Sequence, residues 1–448
     1  MSSDQSIYPK IYSGKVYSMY TAQNSGARAS TRSPSRSSSG SGSRPSTGGR
    51  LSSDGRRGGN SRQQPRGQQS RGQSRALRNK KFIHPSKFIR VATVTEKVDY
   101  VSENSFEDFS LNAKILANVI KKGYTNPSPI QDKTIPLAME GKDVVGIANT
   151  GTGKTAAFVL PIIHDLIHNM DHQAIILAPT RELAQQIQEE CIVFSRDCGI
   201  RTALLIGGAS MNIQIRDLRR NPRIIIGTPG RTKDHLQQRN LNLSKISIAV
   251  LDEFDRMLDM GFIRDITSIF SGMPRDRQSL FFSATMEGEV EKQIRKFSRD
   301  PVTVSVRESV TVDSVNQDVI FYRERDEKID KLHDLLISSG RGKTIIFDDT
   351  KHAVERLSRT LVARGFKADR IHGNKSQAQR SRAIKRLKDS DIDILVATDV
   401  AARGIDVSDI SHVINYSQPN TYEDYVHRIG RTGRAGNTGN AFTFLQKE

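Results

Sequence analysis

Ala148, Asn149, Thr150, Gly151, Thr152, Gly153, Lys154 and Thr155 follow an apolar run and precede a helix-forming stretch. In that strand-to-helix setting they form a phosphate-binding loop. Its glycines let backbone N–H groups wrap a phosphate at a helix N-terminus. Lys154 adds a point charge to the β- and γ-oxygens, and the Thr155 hydroxyl is available to Mg²⁺. A second apolar run, 248–251, ends in Asp252-Glu253. Asp252 can hold Mg²⁺ through water, and Glu253 is placed to orient or deprotonate a water for in-line attack on a γ-phosphate. Adjacent carboxylates are usually solvated surface, but combined with the loop they specify hydrolysis of a nucleoside triphosphate.

Positioning these groups requires strands that end where the loops begin. From Ser102 onward, short β-rich runs alternate with helix-like stretches, the pattern of βαβ units and a parallel sheet. Strands are expected at 144–147, 174–178, 202–206, 224–227, 248–251 and 279–283, then at 319–322, 344–347, 368–371, 394–397, 412–415 and 441–445. This gives two α/β domains, 102–303 and 313–448, joined by a polar, extended linker over 304–312. The 448 residues agree with two or three domains at roughly 100–200 residues each.

The remainder of the chain has a different texture. Residues 1–75 contain 20 Ser, 11 Gly and 11 Arg but only four Leu, Ile, Val or Phe, too little apolar surface to offset the entropy of ordering. A disordered tail is expected there, either a solvated linker or an arginine- and glycine-rich segment that tracks phosphate backbones. A transition segment, 76–101, carries Phe82, Ile83, Phe88, Ile89 and Val91, enough apolar character to dock against something. The net charge of +19 is concentrated at this end: residues 1–90 hold 18 basic and 2 acidic side chains, +16, which leaves +3 for the rest. Cys191 and Cys198 fit no common zinc spacing, which favours a reducing, cytoplasmic compartment. No run of about 18 apolar residues argues for a membrane span.

Asp252-Glu253-Phe254-Asp255 with Ser283-Ala284-Thr285 resembles the DEAD-box family of ATP-dependent RNA helicases. Further matches are Gly123-Tyr124 with Gln131, Pro179-Thr180-Arg181-Glu182-Leu183-Ala184, Gly207-Gly208 and Thr228-Pro229-Gly230-Arg231. Later in the chain come Ile345-Ile346-Phe347, His372-Gly373 with Gln377 and Arg380, the stretch 397–406, and the stretch 427–434. The resemblance, over about 104–445, implies two tandem RecA-like parallel-sheet α/β domains preceded by the disordered basic tail. It also implies a monomer that closes over ATP, Mg²⁺ and single-stranded or duplex RNA.

By the same resemblance, Phe106 and Tyr124 pack on adenine, and Gln131 reads its edge with both ends of the amide. Gly404 and Asp406 contact the nucleotide, and Arg431 and Arg434 act as arginine fingers. The residues implied at RNA are Pro179, Thr180, Arg181, Gly207, Gly208, Thr228, Pro229, Gly230 and Arg231 in domain 1, with Gln377, Arg380 and Thr398 in domain 2. They grip the sugar–phosphate chain without reading sequence. Asp255, Ser283, Thr285, Asp399, Arg403, His427 and Arg428 are implied in coupling the domains. Phe254 departs from the family's usual Ala and is expected to pack beneath the strand end, leaving activity intact. The chain ends at Glu448, directly after its last strand, where the family usually adds at least one helix. The resemblance leaves two readings, an RNA-stimulated ATPase that unwinds short duplexes or remodels RNA–protein complexes, and an ATP-gated RNA clamp with slow hydrolysis.

Overall fold

The computed structural model describes residues 83–92, 100–149, 151–286, 288–306, 314–340, 342–402, 405, 407, 409–433 and 437–447. The tail 1–75, Phe82, Thr150, Arg403, Gly404, Asp406 and Arg434 lie outside the described residues. Strands β1 (Val144–Ala148), β2 (Gln173–Leu177), β3 (Thr202–Leu205), β4 (Ile224–Gly227), β5 (Ile246–Leu251), β6 (Gln278–Ser283) and β7 (Val302–Val306) form one parallel sheet. Its order is β3-β4-β2-β5-β6-β1-β7. The accompanying helices are α1 (Ala113–Lys121), α2 (Pro129–Met139), α3 (Lys154–His168), α4 (Arg181–Phe194), α5 (Met211–Leu218), α6 (Pro229–Gln237), α7 (Phe254–Asp259), α8 (Ile263–Phe270) and α9 (Glu289–Phe297). Central strands such as Val-Val-Gly-Ile-Ala of β1 and Ile-Ile-Ile-Gly of β4 are buried along their whole length. That is what a parallel sheet with helices on both faces requires.

The second domain repeats the plan. Strands β8 (Val315–Tyr322), β9 (Lys343–Phe347), β10 (Ala368–Ile371), β11 (Ile394–Ala397), β12 (Ile410–Asn415) and β13 (Gly439–Gln446) are parallel in the order β10-β11-β9-β12-β13-β8. They carry α10 (Arg325–Ser338), α11 (Lys351–Ala363), α12 (Gln377–Lys388), α13 (Asp399–Ala402) and α14 (Tyr422–Ile429). The phosphate loop, Asp252-Glu253, Ser283–Thr285 and Thr398-Asp399 all follow the carboxyl ends of strands, where ligands of open α/β sheets bind.

Two sequence expectations are corrected. Of the linker expected over 304–312, residues 307–312 lie outside the described residues, and the first three belong instead to β7, paired with β1 over Val302–Val306. Val304 alone of its five residues is buried, because β7 is an edge strand with one covered face, and its Val/Thr/Ser alternation after Pro301 reads as polar linker. β8 begins at Val315, four residues before the expected 319. In the transition segment a 3-10 turn, Pro85–Phe88, docks on the second domain; Phe88 is buried, whereas Ile89 and Val91 remain exposed. Among the described residues no helix is long and apolar enough to cross a membrane.

Candidate functional site

The phosphate loop spans the gap between β1 and α3. Gly151 and Gly153 adopt φ of +86° and +91°, left-handed backbone that favours glycine. Gly153 is also closed in sterically, since a Cβ there would lie 2.4 Å from Gln131 Nε2. Ser128 starts α2 with a capping box, and its hydroxyl donates to the Thr152 carbonyl at 2.7 Å. Thr152 Oγ1 in turn donates to the Asn149 carbonyl at 2.9 Å. Gln131, expected to read adenine with both amide ends, uses both within the protein: Oε1 accepts from Ser128 N at 2.9 Å and Nε2 donates to the Gly153 carbonyl at 3.0 Å. Lys154, buried, donates from Nζ to the Ala148 carbonyl at 2.9 Å.

At the end of β5, Asp252 and Glu253 are both buried, and Asp252 Oδ1 accepts from Glu253 N at 3.0 Å. Burial pushes the Asp252 carboxyl up to about 6; Lys154 opposes the rise, and Glu253 and Asp255 add to it. A buried carboxylate held at that cost is a donor that a divalent cation would stabilise, and Thr155 lies half-buried in the first turn of α3, so the residues fit Mg²⁺. Glu253 itself sits at φ +52°, ψ +51°, a left-handed conformation that non-glycine residues rarely hold. Asp255 accepts from Ala284 N at 3.0 Å through Oδ2, which joins the start of α7 to the Ser283-Ala284-Thr285 turn after β6. Phe254 packs edge-on against Phe281 at 5.7 Å in the core, as expected for a residue beneath the strand end.

In the second domain Arg428 is buried and forks onto Asp399: Nε donates to Oδ1 at 2.5 Å and Nη2 to Oδ2 at 2.8 Å. Its Nη1 donates to the Asn415 side chain at 3.3 Å and the Ser417 carbonyl at 2.6 Å. This one guanidinium ties α14, α13 and the end of β12 together. Arg431, also buried, donates to the carbonyls of His427 at 3.4 Å and Ile405 at 3.1 Å. His427, on α14, has a buried Nδ1.

The expected RNA residues of domain 1 converge. Arg181 opens α4 behind Pro179 and Thr180, whose hydroxyl caps the helix by accepting from Leu183 N at 3.3 Å. Its guanidinium lies over Gly207 and Gly208; a Cβ on Gly208, which has φ +78°, would meet Arg181 Nη1 at 2.3 Å. Arg231 donates to the Ala209 carbonyl at 3.1 Å from the helix begun by Thr228, Pro229 and Gly230. Burial, with the nearby cations Arg380 and Arg231, lowers the pKa of Arg181, while the Glu182 carboxylate opposes the fall.

Domain 2 meets this groove differently from expectation. Arg380 Nη2 donates to Glu182 Oε2 of domain 1 at 2.7 Å, with both side chains buried. Gln377 Nε2 donates to Glu182 Oε1 at 3.2 Å and Gln185 Oε1 at 2.8 Å. Thr398 is half-buried ahead of α13, where its carbonyl accepts from Ala401 N and Ala402 N. Sequence reasoning missed Glu182 and Gln185 as partners; the available signal was an acid beside Arg181 in the first turn of a helix. Phe106 is a second correction. Only 2% exposed, it packs against Phe109 at 5.9 Å and Tyr124 at 6.0 Å, in the core and not on an open base-stacking surface. Tyr124 is partly buried against the same cluster.

The model for DEAD/DEAH box helicase matches residues 128–294, and that for helicase conserved C-terminal domain matches 327–436. The ATP-dependent RNA helicase CshA of Listeria monocytogenes is 46% identical over 343 residues, 76% of this chain and 66% of the relative. The DEAD-box ATP-dependent RNA helicase CshA of Bacillus subtilis is 44% identical over 343 residues, 76% of this chain and 69% of the relative. The chain thus spans about two thirds of the length of these curated relatives. A solved structure of S. cerevisiae Dbp5 bound to RNA and ADP BeF3 superposes with a TM-score of 0.69 at 31% identity, covering 77% of this chain and 90% of that one.

Proposed function

The chain belongs to the DEAD-box family of ATP-dependent RNA helicases, and on that premise we propose that it hydrolyses ATP between its two domains to release short RNA duplexes or remodel RNA–protein complexes. The observation that carries this reading is the placement of complementary parts on two domains in contact. Lys154, Asp252 and Glu253 belong to one and Arg431 to the other, while Arg380 meets Glu182 across the boundary.

In this reading Lys154 leaves the Ala148 carbonyl to hold β- and γ-phosphate oxygens, and Glu253 takes a proton from the attacking water. Mg²⁺, held by Asp252 through water and by Thr155, would neutralise charge on the same oxygens. Arg431 and Arg434 bring planar cations to the γ-phosphate as its charge disperses. The links from Asp255 to the Ser283–Thr285 turn and from Arg428 to Asp399 transmit domain position to the site. Gln131 braces Gly153 and so shapes the loop that holds the phosphates; selection of ATP over GTP requires its amide to turn from Ser128 and Gly153 to the base. RNA phosphates lie along Arg181, Arg231 and the N-termini of α4 and α6, and Arg380 exchanges the Glu182 carboxylate for a phosphate when RNA binds. We take the chain to work as a monomer, and a cytoplasmic location fits the free thiols of Cys191 and Cys198.

The test is multiple-turnover release of a short RNA duplex with ATP, compared with a non-hydrolysable analogue. Repeated release with ATP and a single stoichiometric round with the analogue support the helicase. Stable retention of RNA with both nucleotides would make the protein an ATP-gated clamp.

A further inference from the structure

Residues 83–92 precede domain 1 in sequence but belong to domain 2 in space. His84 caps the turn Pro85–Phe88, its Nδ1 accepting from Ser86 N at 3.3 Å, and Pro85 presets the first φ. The turn drives Phe88 to 0% exposure, edge-on to Tyr425 of α14 at 4.7 Å. Ile83 joins the same cluster, whose other members, Val315, Tyr425, Ile429, Ala441 and Leu445, all come from domain 2.

The backbone reinforces this docking. Arg90 N donates to the Gln317 carbonyl at 2.9 Å, and Gln317 N returns the bond to the Arg90 carbonyl at 2.7 Å, an antiparallel pair on the outer edge of β8. Ala92 N donates to Asn316 Oδ1 at 2.9 Å. The buried Gln317 side chain accepts from the Tyr425 hydroxyl at 2.9 Å, so the strand that receives the segment is tied to α14. Lys87 stands 5.3 Å over the Tyr422 ring of the same helix.

A few residues later the chain is fastened to domain 1. Asp132, buried on α2 beside Gln131, accepts from the Tyr100 hydroxyl at 2.6 Å and Glu103 N at 2.8 Å through Oδ2. Its Oδ1 accepts from Asn104 N at 3.2 Å and Asn104 Nδ2 at 2.7 Å. One anchor therefore grips the helix that bears Arg428 and ends two residues before Arg431, and the other grips the helix that braces the phosphate loop. From Ala92 to Tyr100 the chain can reach at most about 28 Å, at roughly 3.5 Å per residue. Both anchors hold together only while Ala92 on domain 2 and Tyr100 on domain 1 stay within that span.

We propose that residues 83–92 form an interdomain strap, continuous in the chain with domain 1 and docked without a covalent bond on domain 2, which holds α14 at the spacing the nucleotide site needs. The strap raises the effective concentration of domain 2 at domain 1, so that ATP and RNA close a pair of domains already kept near one another. Its kinetic consequence rests on the helicase reading; its effect on domain spacing does not.

The experiment lengthens the strap without touching either anchor, by inserting twenty Gly/Ser residues between Val94 and Thr95 of the full chain. Dyes on the two domains report spacing, and RNA-stimulated ATPase and the melting temperature are measured in parallel. The expected result is a smaller closed fraction with ATP and RNA, an RNA concentration for half-activation raised several-fold, and unchanged melting and maximal rate. Phe88→Ala should reproduce the shift in half-activation with some loss of thermal stability, and Phe88→Leu should recover most of both. An insertion variant identical to the parent in closed fraction and half-activation would overturn the strap and leave residues 83–92 as a cap on domain 2. If no helicase activity is found in any variant, the closed fraction still decides.

Discussion

Domain 1 holds its reactive charges in unrelieved surroundings: Lys154 rests on a loop carbonyl, burial lifts Asp252 to about 6, and Glu253 keeps a left-handed backbone. Domain 2 does the opposite with Arg428, which is locked to Asp399 by two bonds and to Asn415 and Ser417 by two more. The difference separates groups kept available for a ligand from groups that keep the scaffold in shape. Arg431, three residues beyond Arg428 on the chain, leans on the backbone carbonyls of His427 and Ile405, partners that a γ-phosphate can replace.

The sharpest test of this contrast is Arg431→Ala, which should lower steady-state ATPase at saturating RNA by about 10³-fold or more while leaving melting nearly unchanged. A normal rate would return Arg431 to the scaffold. Glu253→Gln keeps the size and loses the base, and hydrolysis should fall by about 10²- to 10⁴-fold with ATP and RNA affinity retained. Arg428→Ala should fail in the other currency: it strands Asp399, and calorimetry of the full chain should show about 3 kcal/mol less stability. Gln131→Ala removes two hydrogen bonds around the phosphate loop, so ATP should bind about 10-fold more weakly, read by titration with a fluorescent analogue, while GTP activity stays low.

The smallest expected effect lies away from the site. Glu355 of α11 accepts from Arg370 at 2.9 and 3.1 Å, and from His372 at 3.1 Å. Hydrogen bonding from Arg370, with His372 and Lys375 adding to it, holds the carboxyl well below its ordinary 4.5. A depressed carboxylate stabilises the fold above its unfolded pKa, and that contribution declines as the pH falls below 4.5. Glu355→Gln should therefore cost about 1 kcal/mol at pH 7, and the gap between variant and parent melting curves should narrow in acid. A gap independent of pH would assign the loss to packing.

Most of the fold was legible because parallel strands buried on both faces announce themselves as short apolar runs, and the strands from β1 to β6 lie where those runs predict. β7 escaped because an edge strand needs only one apolar face, and Val304 alone gave too little signal. The phosphate loop and Asp252-Glu253 were legible because their chemistry demands fixed residue types at fixed spacing. Contacts distant along the chain were not: nothing local indicates that Glu182 faces Arg380, or that Phe88 reaches Tyr425. The corrected role of Phe106 belongs with these, since a buried aromatic and one stacked on a base look alike in sequence.

The pairing of Arg90 with Gln317 has a consequence for solubility. β8 borders the second sheet, and a border strand offers unpaired N–H and C=O groups to any other strand that approaches. Residues 83–92 cover part of that border and the apolar patch beside it. A version of the protein begun at Ser102 would keep every nucleotide-binding residue named above and yet expose both. Such a shortened chain should self-associate at concentrations where the parent stays dispersed.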